Sequence, residues 1–162
     1  MNGQPEISVV TCKAPAKINL YLHVIGERPD GYYNLDSLVA FAELGDTLSA
    51  KESDSLSLEI KGPFSSTLKQ NLNHNIVLRA ARALADAADI PAVAKISLVK
   101  NLPIAAGLGG GSADAAAVLR ILTVLWKLDS LDLNLQSIAI SLGADVPACL
   151  AGKPSFIGGI GE

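Results

Sequence analysis

"LPIAAGLGGGSADAAAVLR", residues 102–120, places four glycines and then a run of alanines between a β-rich segment and a helical one. Bare backbone feeding a helix N-terminus presents several N–H groups with no side chain in the way. The helix dipole adds partial positive charge, and the combination suits phosphate. A purely structural turn is the competing reading, but each glycine in such a turn adds unfolded-state entropy that folding must overcome, so anion binding is favoured. The familiar phosphate motifs fail letter by letter. A P-loop needs Lys after its last glycine and none follows here, while a dinucleotide fingerprint counted from Gly107 ends on Ser112 and counted from Gly109 on Asp114. A nucleophile elbow fails as well, because Asp114 stands where its second glycine belongs. Ser112 is expected to be the N-cap of a helix running to about Lys127, with the N–H groups of residues 107 to 113 aimed at the anion. Asp114 admits two readings: a first-turn carboxylate favourable to the helix dipole, or one set behind a magnesium ion. The first is preferred, since an anion beside phosphates needs a cation to be tolerated.

The flanking segments supply the rest of a mixed domain. "AKISLVKNL", residues 94–102, reads as a strand leading into the glycines. Ile76, Leu78, Ala80, Ala83, Leu84 and Ala87 recur at helical spacing and predict an amphipathic helix over 75–88. Residues 7–24 read as two β-rich runs joined at Ala14-Pro15-Ala16. Within them Ile18, Leu20, Leu22 and Val24 fall on one strand face, and Lys17, Asn19, Tyr21 and His23 on the other. Residues 26–35 carry enough breakers to predict a loop, residues 36–44 resume an apolar pattern, and Gly45-Asp46 is expected to turn the chain. Two short strands should follow over 46–62. A last helix over about 134–142 stops at Gly143, after which 144–162 reads as loop and strand. No repeat or linker divides the chain, so one α+β domain is expected, a mixed sheet packed against helices.

Composition narrows the function class. The chain has 162 residues, 49% of them hydrophobic, enough for one sizeable core. A formal charge of −3 with scattered Lys and Arg gives no electrostatic reason to expect nucleic acid as a partner. No stretch approaches the roughly 18 apolar residues that span a bilayer, which argues against a membrane partner, and the N-terminus lacks the basic and apolar regions of a signal peptide. Cys12 and Cys149 are too few for a disulfide framework and lack metal-site spacing, so both read as small apolar fillers in a reducing cytoplasm. His23 and His74 read as ordinary polar residues and Trp126 as core.

"LPIAAGLGGGSA" resembles the signature of the GHMP kinases, in which Leu-Pro and a short spacer precede a Gly-Leu-Gly/Ser-Ser-Ser-Ala run. "APAKINLYLHV" (14–24), "RPDGYYNLDSL" (28–38), "NIVLRAA" (75–81), "LGADVPACLAG" (142–152) and "GIGE" (159–162) are similar to further segments of that family, in the same order. The resemblance covers nearly the whole chain from about residue 12. It implies the family's N-terminal domain fold (ribosomal protein S5 domain 2-like) over residues 1–162, with a second domain following in other members and missing here. It also implies an ATP-dependent small-molecule kinase. ATP phosphates would lie on Pro103, Ile104, Ala105, Ala106, Gly107, Leu108, Gly109, Gly110, Gly111, Ser112 and Ala113, with Asn75 near the purine and Mg²⁺ as the ATP counter-ion. No metal-ligating side chain is singled out. Lys17 and Asp145 match the catalytic pair. Asn19 and Tyr32 match substrate-binding positions, Tyr32 stacking on a cytosine. The implied substrate is a small molecule containing a cytidine diphosphate, and the implied assembly is a monomer or homodimer.

Two positions depart from the family pattern: Tyr33 replaces a usual His after Tyr32, and Ala113 replaces the second Ser of the signature. Sugar, homoserine or mevalonate kinases of the same family remain the nearby alternative, and a silent nucleotide-binding module is the alternative of a different class.

Overall fold

The computed structural model describes residues 8–27, 33–66, 68, 74–129 and 131–159. Alternation of apolar and polar residues outweighs the local breakers in the N-terminal third. Strand β1, Val9–Glu27, runs unbroken through Pro15, and β2, Tyr33–Lys51, runs unbroken through Gly45 and Asp46. The expected break at 14–16 and the expected turn at 45–46 are therefore both absent. The reason is mutual: Pro15 and Gly45 lie opposite each other in the antiparallel ladder, at a register shift on an outer strand. A missing N–H disrupts little there. A Cβ at residue 45 would collide with the Ala14 carbonyl oxygen, so only glycine lets the two backbones approach this closely. Of the loop expected over 26–35, residues 26–27 and 33–35 belong instead to these strands, and 28–32 lie outside the described residues.

A second register shift, between Asn19 and Tyr21, sets those residues opposite Val39 and Leu38. Consecutive residues of β2 point to opposite faces, so Tyr21 and His23 leave the face of Lys17 and Asn19, contrary to strict alternation. Tyr21 instead donates its hydroxyl to Asp36 at 3.0 Å.

Strand β3, Leu56–Lys61, connects through helix α1, Ile76–Ala87, to β4, Ala94–Val99, which lies parallel to it and antiparallel to β2. Helix α2, Gly110–Leu125, then crosses the sheet, stopping short of Lys127. Helix α3, Leu135–Leu142, begins at Asn134, whose side chain accepts the Ser137 N–H, and ends at Gly143 as expected. Residues 146–151, expected to be loop, form the one-and-a-half-turn helix α4, Val146–Ala151, with Pro147 in its first turn where a missing N–H is harmless. Strand β5, Ser155–Ile157, pairs with Ser37–Val39 of β2. The sheet order is β1-β2-β4-β3 with β5 added beside β2.

The core lies between this sheet and α1 and α2. Leu48, Ile96 and Leu98 from the sheet meet Val77 and Leu84 from α1 and Val118, Leu119, Ile121 and Leu122 from α2, all buried. Each such side chain contributes about 1.5–3 kcal/mol of burial. Ala113, Ala115, Ala116 and Ala117 are also buried, and their small side chains let α2 lie close against its neighbours. Trp126 is half-buried and satisfies its indole N–H on the Val93 carbonyl at 3.1 Å. Both cysteines are free; burial pushes the Cys149 thiol up to about 12, fitting a filler role. Among the described residues no helix is long and apolar enough to cross a membrane.

Candidate functional site

The glycine-rich loop joins β4 to α2, and the local sequence dictates its shape. Gly109 caps α2 in the left-handed conformation, φ 62°, and the helix begins at Gly110. Ser112 is therefore inside the first turn rather than at the N-cap. The physical reason is that Gly109 supplies a conformation most L-residues avoid, so the helix can start without a side-chain cap. A Cβ at residue 109 would also come within 3.0 Å of the Lys17 Cβ, so this glycine allows the loop to rest on β1. Ala105 holds φ 58° without being glycine, a local strain within the loop.

Pro103 through Ser112 line a cavity of about 530 Å³ together with Asn75 from the start of α1. His74, Ile76 and Leu68 form its other wall. The loop residues and Asn75 named from sequence are thus brought together around one space. Ala113 is not: it is buried in α2, and its N–H is used on the Gly109 carbonyl at 2.9 Å, so it offers no free donor. Asn75 caps α1, its side-chain oxygen accepting the Val77 N–H at 2.9 Å.

Lys17 meets the loop from below. Its backbone N–H donates to the Leu108 carbonyl at 2.9 Å. Its ammonium lies 3.0 Å from Asp145 Oδ1 and donates to Asn19 Oδ1 at 3.1 Å. Lys17 and Asn19 of β1 and the distant Asp145 therefore converge beside Gly109. The Lys17 side chain is 6% exposed and that of Asp145 is 45% exposed, so the pair is shielded on one side and open on the other. Asp145 stands at the head of α4 and makes no side-chain cap bond there. At the far end of α4, Arg120 of α2 donates to the carbonyls of Cys149 at 2.7 Å and Leu150 at 2.6 Å, fastening the helix that carries Asp145. Tyr32 lies outside the described residues.

A second ion cluster lies beneath the loop. Lys100, the residue after β4, reaches Asp46 Oδ2 at 2.6 Å and Asp114 Oδ2 at 2.7 Å, and all three are buried. Asp46 Oδ1 also accepts the N–H groups of Asn101 at 2.6 Å and Leu102 at 2.8 Å. Both stems of the loop, the end of β4 and the start of α2, are thus tied to one carboxylate–ammonium–carboxylate unit anchored on β2. Asp114 is consequently not the first-turn, dipole-facing carboxylate expected from sequence; it points into the protein toward Lys100. Burial raises its carboxyl to about 7, against the opposing pull of the Lys100 charge. Burial also pulls the Lys100 ammonium down, but its two carboxylates together win and its pKa ends raised.

The sequence alone gives Asp46, Lys100 and Arg120 no functional mark. Gly45-Asp46 looks like a turn, and Lys100 looks like a solvated charge after a strand. The available signal was position: a Lys directly between a strand and a phosphate-type loop has little room to be exposed.

A family model described as the GHMP kinases N terminal domain matches residues 75–153. The chain is 53% identical over 150 residues to the 4-diphosphocytidyl-2-C-methyl-D-erythritol kinase of Paramagnetospirillum magneticum, covering 93% of this chain and 52% of that protein. It is 52% identical over 153 residues to the protein of the same name from Parvibaculum lavamentivorans, covering 94% and 52%. The chain thus spans about half the length of these relatives. A crystal structure of 4-(cytidine 5'-diphospho)-2C-methyl-D-erythritol kinase superposes with a TM-score of 0.76 at 39% identity, covering 94% of this chain and 53% of that one. Homoserine kinase from Cytophaga hutchinsonii, at 18% identity and a TM-score of 0.59 over 92% of this chain and 44% of that one, shares the fold.

Proposed function

The chain belongs to the GHMP kinase family, and on that premise we propose that it forms the ATP-binding part of a kinase acting on 4-diphosphocytidyl-2-C-methyl-D-erythritol. The reaction transfers the γ-phosphoryl group of ATP to a hydroxyl, giving the 2-phosphate, a step of non-mevalonate isoprenoid precursor biosynthesis. Residues 1–162 would be the N-terminal domain of a longer, two-domain architecture.

The observation that carries this reading is the Lys17–Asp145 pair at 3.0 Å beside Gly109, on the rim of a loop built to receive an anion. In this reading Asp145 accepts the proton of the substrate hydroxyl as its oxygen attacks the γ-phosphorus and ADP leaves. Lys17 holds that hydroxyl and stabilises the charge on the transferring group, with Asn19 fixing the ammonium. The backbone N–H groups around residues 107–112 and the α2 dipole suit the phosphates, and the adjoining cavity by Asn75 suits the purine. Phosphoryl transfer depends chiefly on positioning and electrostatics, so this small polar set suffices in kind. Mg²⁺ would arrive with the ATP phosphates and neutralise them. The cytidine-containing acceptor is supported by the names of the relatives that share about half of the residues. Tyr32 would stack on its cytosine.

ADP release measured with the cytidine diphosphate alcohol, a sugar, homoserine and mevalonate tests the proposal. Turnover of only the first is the expected result. Turnover of another alcohol would assign a different GHMP kinase, and ATP binding without turnover of any would leave a silent nucleotide-binding module.

A further inference from the structure

We propose that Asp114 is a proton acceptor recruited by nucleotide binding: when a polyphosphate seats on the glycine-rich loop, the buried Asp46–Lys100–Asp114 unit takes up a proton at Asp114. The inference rests on the nucleotide-binding reading above.

Its basis is the geometry under the loop. Two carboxylates share one ammonium, at 2.6 Å and 2.7 Å, so with both ionised the unit carries a net negative charge inside the protein. The two acids are not equivalent. Asp46 is fully buried yet receives three donors, from Lys100, Asn101 and Leu102. Asp114 receives Lys100 on Oδ2 alone, and its Oδ1 is buried with no hydrogen-bond partner. An ionised carboxylate with an orphaned oxygen is the weaker member, so a proton goes there first. Asp114 and Lys100 also form part of the wall of the cavity that the loop lines. A side chain at Gly110 would come within 3.1 Å of the Lys100 ammonium, which shows how thin the layer is between this unit and the α2 N-terminus.

The surrounding charges do not offset an arriving anion. Lys100, on the stem after β4, lowers the Asp114 pKa and Asp46, on β2, raises it. On β1 and α4, Lys17 is paired with Asp145, and Cys149 is held as a neutral thiol. The charged residues of α1, namely Arg79, Arg82 and Asp86, are exposed, and α3 carries none. Phosphates above Gly109–Ser112 therefore act on a carboxyl that already titrates near 7, and like charge raises it further. The proton comes from solvent and neutralises Asp114, leaving a neutral Asp46–Lys100 pair beneath the nucleotide.

Calorimetric titration of the chain with magnesium and a non-hydrolysable ATP analogue at about pH 8, in two buffers of different ionisation heat, counts the protons taken up. His74 also lines the cavity, so the difference between wild type and Asp114→Asn is the quantity read. Expected is uptake of roughly half a proton or more per nucleotide in the wild type, lost in Asp114→Asn. Equal counts in two proteins that both bind would overturn the inference and leave the nucleotide reading intact. No binding in either would overturn both. Should Asp114→Asn not fold, the wild-type affinity alone decides: it should weaken several-fold from about pH 7 to about pH 9, where the nucleotide phosphates are already ionised, and a flat profile overturns the inference.

Discussion

Two lysines flank the same glycine-rich loop, and each is held by carboxylates, yet the two clusters are built for different ends. Lys17 is paired with an acid that is 45% exposed, and Lys100 with two acids that are 0% and 3% exposed. An open pair can trade its partner for a substrate hydroxyl at little cost, because water already solvates one member. A sealed unit cannot, since removing one member leaves an uncompensated buried charge. On the proposed reading the same ion chemistry would serve reaction on one side of the loop and architecture on the other, with burial separating the roles.

The sharpest way to break this contrast is through the open pair. Asp145→Asn should lower kcat by about 10²–10⁴ while ATP affinity stays nearly unchanged. Retention of wild-type kcat in a steady-state assay would remove Asp145 as the base. Lys17→Ala should cost similarly and weaken binding modestly. Turning to the sealed unit, Lys100→Met should destabilise the fold by about 3–5 kcal/mol, read from the urea midpoint. A near-neutral result would mean that Asp46 and Asp114 are not both ionised around this lysine.

The pH dependence sharpens the contrast further. The Asp114 carboxyl is raised from 3.8 to about 7 on folding, so between these values the native state binds more protons than the unfolded chain. Stability from this group is therefore present at low pH and falls as pH rises through about 7. Thermal melts of wild type and Asp114→Asn across that window should differ in slope, the variant lacking this decline; parallel curves would contradict the assignment. The smallest expected effect lies at the cavity wall. Asn75→Ala should cost about 1 kcal/mol of stability through loss of the α1 cap, measurable by the same melts.

Some of this could be read from sequence and some could not, for definite reasons. The loop, α1, β4 and α3 follow from local signals: helical spacing, a terminating glycine, alternation, and glycines before an alanine run. The continuity of β1 and β2 was hidden because Pro15 and Gly45 are each breakers alone and compatible only when paired. Helix α4 was hidden by its length and by Pro147, whose place in the first turn becomes evident only once Asp145 is seen at its head. Family resemblance singles out Lys17, Asn19 and Asp145; strand alternation puts the first two on one face, but no local pattern reveals that Asp145 meets them. The Asp46–Lys100–Asp114 unit joins β2, the end of β4 and α2, a pairing that only the tertiary fold creates.

Arg120 carries one more consequence. Helix α2 offers its N-terminus to the loop and, from Arg120, holds the end of α4, so the spacing between loop and Asp145 is set by helical pitch rather than by flexible connections. Inserting one residue between Gly110 and Arg120 would swing the guanidinium about 100° around the axis and advance it about 1.5 Å, detaching it from the Cys149 and Leu150 carbonyls. Length variation should therefore be forbidden within that stretch of α2, while the solvent-facing turn at residues 52–55 between β2 and β3 can absorb it freely.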